Sequence, residues 1–185
     1  MSWGIAIESR SLRDAIANAR ARNVIVLASA GNSGLNRPIP FPASMGHPTL
    51  FCIGSTDTTG SRSRFSPSAK KQEKFSAIGE AVLVAAFNTE SKIPKYTEER
   101  RDGTSMATPV AAGIASLLIA YTQQIPHSPA QATGYDNMRK LFLRISRPSE
   151  GKSHRFLAPL QLFESKTPQE TQEEFKIVLS NPPGT

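Results

Sequence analysis

Two short segments carry side chains whose type and setting could do chemistry. The first is Gly103-Thr104-Ser105-Met106-Ala107-Thr108-Pro109, small residues that feed straight into a long apolar run, so Ser105 stands at the start of a helix. A serine there ordinarily caps the helix. It can also act as a nucleophile, because the positive end of a helix favours the alkoxide and the oxyanion that follows attack. The second is Ala28-Ser29-Ala30-Gly31-Asn32-Ser33-Gly34, at the carboxyl end of a predicted strand, where open parallel sheets place their ligand crevices. Asn32, set between glycines, reads first as a turn residue. Its amide has a further use, since it can stabilise an oxyanion without itself ionising.

Bringing these segments together requires a parallel sheet with helices around it. Met1 to Ile7 is short, apolar and compatible with a strand, and Ser11 with Asp14 resembles a capping box opening a helix over 11–22. Leu12, Ala15, Ile16 and Ala19 share one face of that helix, with arginines on the other. Val24 to Ala28 is a continuous apolar run, which completes a strand–helix–strand unit of parallel sheet. Runs at Thr49 to Gly54 and Ala81 to Ala86 continue the pattern, and the polar stretch Thr58 to Lys74 between them is expected to be surface loop. Ser105 to Thr122 is apolar nearly all round, as a helix buried inside a domain would be. Pro109 fits such a helix only in its first turn. A further helix is expected through Met138 to Ile145, with Met138, Leu141, Phe142 and Ile145 on one face. Beyond Phe163 the composition turns to Glu, Gln, Thr and Pro, which predicts a loosely held tail over 164–185.

Composition sets the outer limits. The 185 residues suit one ordinary domain, and 38% hydrophobic content supports a packed core. The net charge of +7 raises the question of nucleic acid. Its distribution argues against it: Arg10, Arg13, Arg20 and Arg22 fall near one helix, Lys70, Lys71 and Lys74 in a loop, with no aromatic residues interleaved for base stacking. Cys52 is the single cysteine, in an apolar run that suits a buried strand, so no internal disulfide forms. No run of eighteen apolar residues exists and the first residues lack the pattern of a secretory leader, so no membrane partner is expected and an intracellular location is favoured.

Together, Gly103-Thr104-Ser105-Met106-Ala107-Thr108-Pro109 and Ala30-Gly31-Asn32-Ser33-Gly34 resemble the nucleophile and oxyanion motifs of the subtilisin-like serine peptidases, in the family's order. Met1-Ser2-Trp3-Gly4 is similar to an interior strand of that domain, Phe41-Pro42-Ala43 to the loop before its next strand, and Ser63-Arg64-Phe65-Ser66 to the segment after it. The resemblance implies a parallel sheet sandwiched by helices, with Ser105 as nucleophile. It implies that the Asn32 amide and the Ser105 backbone N–H hold the oxyanion, and that Ser29, Ala30 and Gly31 line the pocket for the P1 side chain. It implies a peptide or protein substrate, and no residue is assigned to a metal or other cofactor. Val110 stands where many members have a histidine after the proline, and Ala85-Ala86-Phe87 replaces a common Ala-Pro-Gly.

The family runs Asp, then His, then Ser, with the first two ahead of the oxyanion asparagine. No histidine precedes Asn32, and the one aspartate there, Asp14, sits in a capping context. His47, His127 and His154 lack the helix start that holds the family's base and read as surface or structural residues, and Asp57-Thr58-Thr59-Gly60 follows the wrong strand. The resemblance thus implies the carboxyl-terminal half of a catalytic domain over 1–163, incomplete at the amino-terminal side and inactive without its missing half. A binding or regulatory module that kept the cleft and lost the chemistry is the alternative, and a nucleic-acid or scaffold protein has only charge in its favour.

Overall fold

The computed structural model describes residues 1–35, 37–68, 74–88, 95–126, 133–149, 154–164 and 166–181, without the side chains of Asn88 and Lys95. It is a mixed α/β fold. Strands β1 (Leu27–Ser29), β2 (Phe51–Thr56), β3 (Phe75–Ile78) and β7 (Arg155–Leu157) run parallel, and β6 (Ser146–Pro148) closes the far edge antiparallel to β7, in the order β1-β2-β3-β7-β6. Helix α1 (Arg10–Ala21) covers one face. Helices α2 (Thr104–Gln123), α3 (Tyr135–Ile145) and α4 (Pro168–Ser180) lie over the other.

The period-two alternation of strand side chains sorts the core. Leu27, Phe51, Ile53, Phe75 and Ala77 meet Ala107, Ala111, Ala115 and Leu118 of α2 and the apolar face of α3. Ala28, Ala30 and Cys52 point the other way, onto Ile16 of α1, Ala43 and Leu50. The first face is the heavier. Phe51 stacks on Tyr135 at 4.3 Å between ring centroids, and Phe142 packs against Phe51 at 5.0 Å and Phe75 at 5.3 Å. Truncating any of these buried phenylalanines to alanine costs about 3–5 kcal/mol. Although α2 is long and apolar enough to cross a membrane, its packing over β1, β2 and β3 makes it the central core helix.

Several expectations are corrected. Residues 1–7 form no strand. They run beside the sheet and meet the chain again at Phe41, where Ile5 and Phe41 exchange two backbone hydrogen bonds of 2.8 and 3.1 Å. The cap of α1 is Ser9, whose hydroxyl accepts from Leu12 N at 3.4 Å, and Ser11 and Asp14 lie inside the helix. The apolar run at Ala81 to Ala86 is not a fourth parallel strand. It belongs to β4 (Val82–Asn88), which pairs antiparallel with β5 (Lys95–Arg101) in a separate ribbon. The parallel strand in that part of the chain is β3, which starts directly after the expected loop and ahead of the expected strand.

The polar stretch is not all surface either. Ser63 and Ser66 are buried, the Ser55 and Ser63 hydroxyls lie 2.7 Å apart, and Ser66 Oγ accepts from Ser55 N at 3.1 Å, so these serines satisfy one another inside the fold. Lys74 is 2% exposed. Its stem crosses Gly54 so closely that a Cβ there would stand 2.2 Å from Lys74 Cε, and its ammonium donates to Ser66 Oγ and the Pro67 carbonyl. Burial lowers its pKa to about 8, helped by the nearby Arg62 charge. Within the predicted tail, α4 carries a reciprocal cap between Thr167 and Glu170 and buries Thr171, Phe175 and Leu179.

Candidate active site

The parallel strands all point their carboxyl ends at one edge, and the two motif segments leave from that edge. Asn32 follows β1. Gly103 ends the excursion through the ribbon and is docked on the end of β3, its N–H donating to the Gly79 carbonyl at 2.8 Å. The segments are then locked together although 72 positions separate Asn32 from Thr104: Asn32 Oδ1 accepts from Thr104 N at 2.9 Å and from Thr104 Oγ1 at 3.0 Å. That hydroxyl in turn accepts from Gly31 N at 3.1 Å.

The bonding fixes the asparagine's orientation. A backbone N–H can only donate, so the oxygen of Asn32 has to face Thr104 and its NH2 turns outward. No acceptor for that NH2 exists among the described residues. Gly103 marks where it points. A Cβ on Gly103 would lie 2.9 Å from Ser105 Oγ and 3.2 Å from Asn32 Nδ2, so hydroxyl and amide reach one small space that this glycine leaves open. Its φ of +152° also disfavours any side chain there.

The start of α2 contributes a second donor. Of its first N–H groups, that of Thr104 goes to Asn32 and that of Met106 to the Gly103 carbonyl at 2.9 Å, whereas the N–H of Ser105 has no acceptor among the described residues. Ser105 does not cap the helix. Gly103 occupies the cap position without a side-chain bond, and the half-buried Ser105 hydroxyl makes no hydrogen bond among the described residues. Hydroxyl, amide and N–H therefore converge on the space beside Gly103, without partners among the described residues. Such an arrangement can receive a carbonyl carbon at the hydroxyl and a developing negative oxygen at the two donors.

Pro109 stands in the second turn of α2, not the first. Its missing N–H leaves the Ser105 carbonyl without an intrahelical partner. Ser2 fills the vacancy: its hydroxyl donates to the Ser105 carbonyl at 3.1 Å. The sequence carried the signal in the proline, but the identity of the donor, 103 positions away, was not readable. Thr104 was likewise missed as the clamp between Gly31 and Asn32.

The residues expected to line a P1 pocket are placed unevenly. Gly31 is half-buried next to Asn32, with φ +89° and Pro40 Cδ 3.0 Å from where a Cβ would be. Ser29 is 5% exposed and Ala30 fully buried, its methyl in the α1-side core. Ala30 can thus offer a groove its backbone but not its side chain, because strand alternation turns that methyl inward.

The described histidines lie at the opposite end of the strands. His47 precedes β2, exposed, with Nδ1 2.9 Å from Tyr135 Oη and its ring stacked on that tyrosine. His154 precedes β7 and is 4% exposed, not part of the surface stretch expected from its neighbours. Its ring lies against the Gly60 carbonyl at 3.5 Å, and burial lowers its pKa, the Lys74 and Arg62 charges adding to the effect. His127 lies outside the described residues. Asp57 closes its own turn by accepting from Thr59 N, Thr59 Oγ1 and Ser61 N, which holds its carboxyl below the usual range. Among the described residues no cluster of His, Cys, Asp and Glu could hold a metal ion.

Comparison with known proteins gives the relatives of the chain and of its fold. M-protease of Shouchella clausii (strain KSM-K16) is 34% identical over 118 residues, covering 64% of this chain and 28% of the relative. Subtilisin BL of Lederbergia lenta is 34% identical over 118 residues, with 64% and 40% covered. The chain therefore spans well under half the length of these curated relatives. Among solved structures, the prenylagaramide maturation protease PagA superposes with a TM-score of 0.66 at 24% identity over 86% of this chain and 58% of that one, a likeness of fold. The description of the subtilase family matches residues 1–156, and the chain belongs to that family.

Proposed function

We propose that this chain supplies the nucleophile and the oxyanion wall of a serine endopeptidase that hydrolyses peptide or protein substrates through an acyl-enzyme on Ser105. The observation that carries the reading is the shared space beside Gly103, reached by Ser105 Oγ and Asn32 Nδ2 and bordered by an uncommitted Ser105 N–H. Ser105 Oγ attacks the scissile carbonyl as a general base takes its proton, and the oxyanion receives hydrogen bonds from Asn32 Nδ2 and Ser105 N–H. The proton passes to the leaving amine, and water then releases the acyl group by the same steps in reverse. Gly31, Ser29 and the backbone of Ala30 form one wall of the P1 pocket.

The base comes from a segment outside these 185 residues: His47 and His154 are engaged at the far end of the sheet, and His127 lacks the helix start that holds the family's base. The 185 residues alone then hydrolyse peptides negligibly, a hydroxyl without a positioned base being a weak nucleophile. A groove of about 590 Å³ beside β1 and α1, bordered by Met1 and lined by Ile16, Ala19, Val26, Leu27, Pro109 and Ala112 among others, offers room for a segment that brings the base.

The test joins this chain to an amino-terminal subtilase segment carrying the aspartate and histidine, and measures turnover of a fluorogenic peptide. Turnover that disappears in Ser105→Ala is expected. Turnover untouched by Ser105→Ala sinks the assignment, and saturable, heat-sensitive fluorophosphonate labelling of Ser105 in the isolated chain would place the base within it.

A further inference from the structure

The β4–β5 ribbon stands apart from the main sheet, and among the described residues β5 pairs with β4 alone. Its other long edge presents unpaired backbone groups to solvent. Such an edge recruits another strand unless something discourages it, and charge is the usual deterrent. The charges on β5 are of both signs: Glu98, Glu99, Arg100 and Arg101, all exposed. A single sign would repel a copy of itself. Acid-acid-base-base, met by its own reverse, offers base-base-acid-acid.

We infer that β5 is a self-association edge, on which two copies of this chain pair antiparallel to make one four-stranded sheet. The two-fold axis of such a pair stands perpendicular to the sheet and leaves every side chain on its own face. Directly opposed residues are then an even number of positions apart, since neighbours in a strand point to opposite faces. A register centred on Glu99 puts Glu98 opposite Arg100 of the second copy and Arg100 opposite its Glu98. On the other face each Glu99 lies at the axis, already paired with its own Arg101, whose Nη2 and Nε donate at 2.9 and 3.1 Å. A register centred on Arg100 opposes two Arg100 side chains and sets Glu98 against Asp102, so the first register is preferred. Short strands with exposed ion pairs make a small interface, and the dimer is accordingly weak, reversible and sensitive to salt.

Sedimentation velocity on the full chain over a series of concentrations tests this. A reversible dimer that weakens as salt is added is expected. Glu98→Arg and Arg100→Glu each set like charges against each other across the axis and weaken the dimer by roughly tenfold or more. Both positions are exposed, and Arg100→Glu gives up only one exposed hydrogen bond, from Arg100 Nη1 to the Ala81 carbonyl, so the thermal transition of each variant moves little. An equimolar mixture of the two variants regains the dimer, because each altered side chain then meets its opposite in the other variant. A chain that stays monomeric at every concentration overturns the inference, as does a dimer indifferent to both substitutions or a mixture that stays monomeric.

Discussion

The two ends of the parallel strands treat their polar groups in opposite ways. At the amino ends, Lys74, His154 and His47 all have hydrogen-bond partners, and two of the three are buried. At the carboxyl ends, Asn32 and Thr104 are tied down on one side so that the Asn32 amide, the Ser105 N–H and the Ser105 hydroxyl stay uncommitted among the described residues on the other. The contrast shows how reactive geometry differs from ordinary packing. Elsewhere in the fold a donor without an acceptor is a cost. Here rigid neighbours hold three polar groups open in a space that a substrate oxygen can complete.

The largest expected effect tests the carboxyl end directly. In a completed domain, Asn32→Leu lowers kcat by roughly 10²–10³, a magnitude borrowed from the oxyanion asparagine of a relative, with KM nearly unchanged because the amide acts only as charge develops. A raised KM with kcat intact would make Asn32 a substrate-binding residue instead. Gly103→Ala fills the shared space with a methyl 2.9 Å from the Ser105 hydroxyl and lowers kcat about 10²-fold by displacing the reacting groups. Activity retained within a few-fold would show that the space is not where the oxyanion forms.

At the amino end, Lys74 provides the sharper contrast. Its pKa falls from 10.5 unfolded to about 8 folded, so between those values the unfolded chain holds more protons and stability rises with pH. Buried Cys52 opposes this above its unfolded value of 9.0, because burial pushes its folded pKa up to about 11 and stability is lost as the unfolded thiol ionises. Urea unfolding across this range should show a rise from about pH 8 to 9 that flattens above it. Cys52→Ala extends the rise towards 10.5, and Lys74→Met removes it. No change of slope in Lys74→Met would mean that the ammonium is solvated. The smallest effect belongs to His47→Phe, which keeps the stacking on Tyr135 and loses one part-buried hydrogen bond, for a cost of about 1 kcal/mol. Peptidase activity should not move, and a large loss would bring His47 back as a candidate base.

What the sequence made legible follows the same division. Ser105 and Asn32 stood out through the joint resemblance of their two segments to family motifs, since each alone reads first as a helix cap or a turn, and the buried helix was readable from its all-round apolar run. The strands around them were harder. β5 is mostly charged and owes its strand form to pairing with β4, which no single-strand pattern reports. β3 is four residues long and falls in the short gap between the loop reading over Thr58 to Lys74 and the apolar run Ala81 to Ala86, which left it unassigned. The cap formed by Thr167 and Glu170 was written in the chain, but the polar composition around it suggested a tail, and the burial of Phe175 and Leu179 against the first core depends on long-range packing. The hydroxyl of Ser2 on the Ser105 carbonyl belongs to the same class of long-range fact.

That last bond couples two motions that would otherwise be independent. Residues 1–5 are held by the Ile5–Phe41 pair, by Met1 against β1 and by the Ser2 hydroxyl, a small set of contacts for a segment with Trp3 and Ile5 exposed. Local opening of such a segment is the low-energy kind that precedes global unfolding. When it opens, the first turn of α2 loses the group that replaces its proline-deleted bond, and the backbone of Ser105 is freed at the same moment. In native-state hydrogen exchange the Ile5 amide and the amides of the first turn of α2 should therefore open as one unit, ahead of the rest of that helix, and Ser2→Ala should loosen the turn while leaving Leu118 protected.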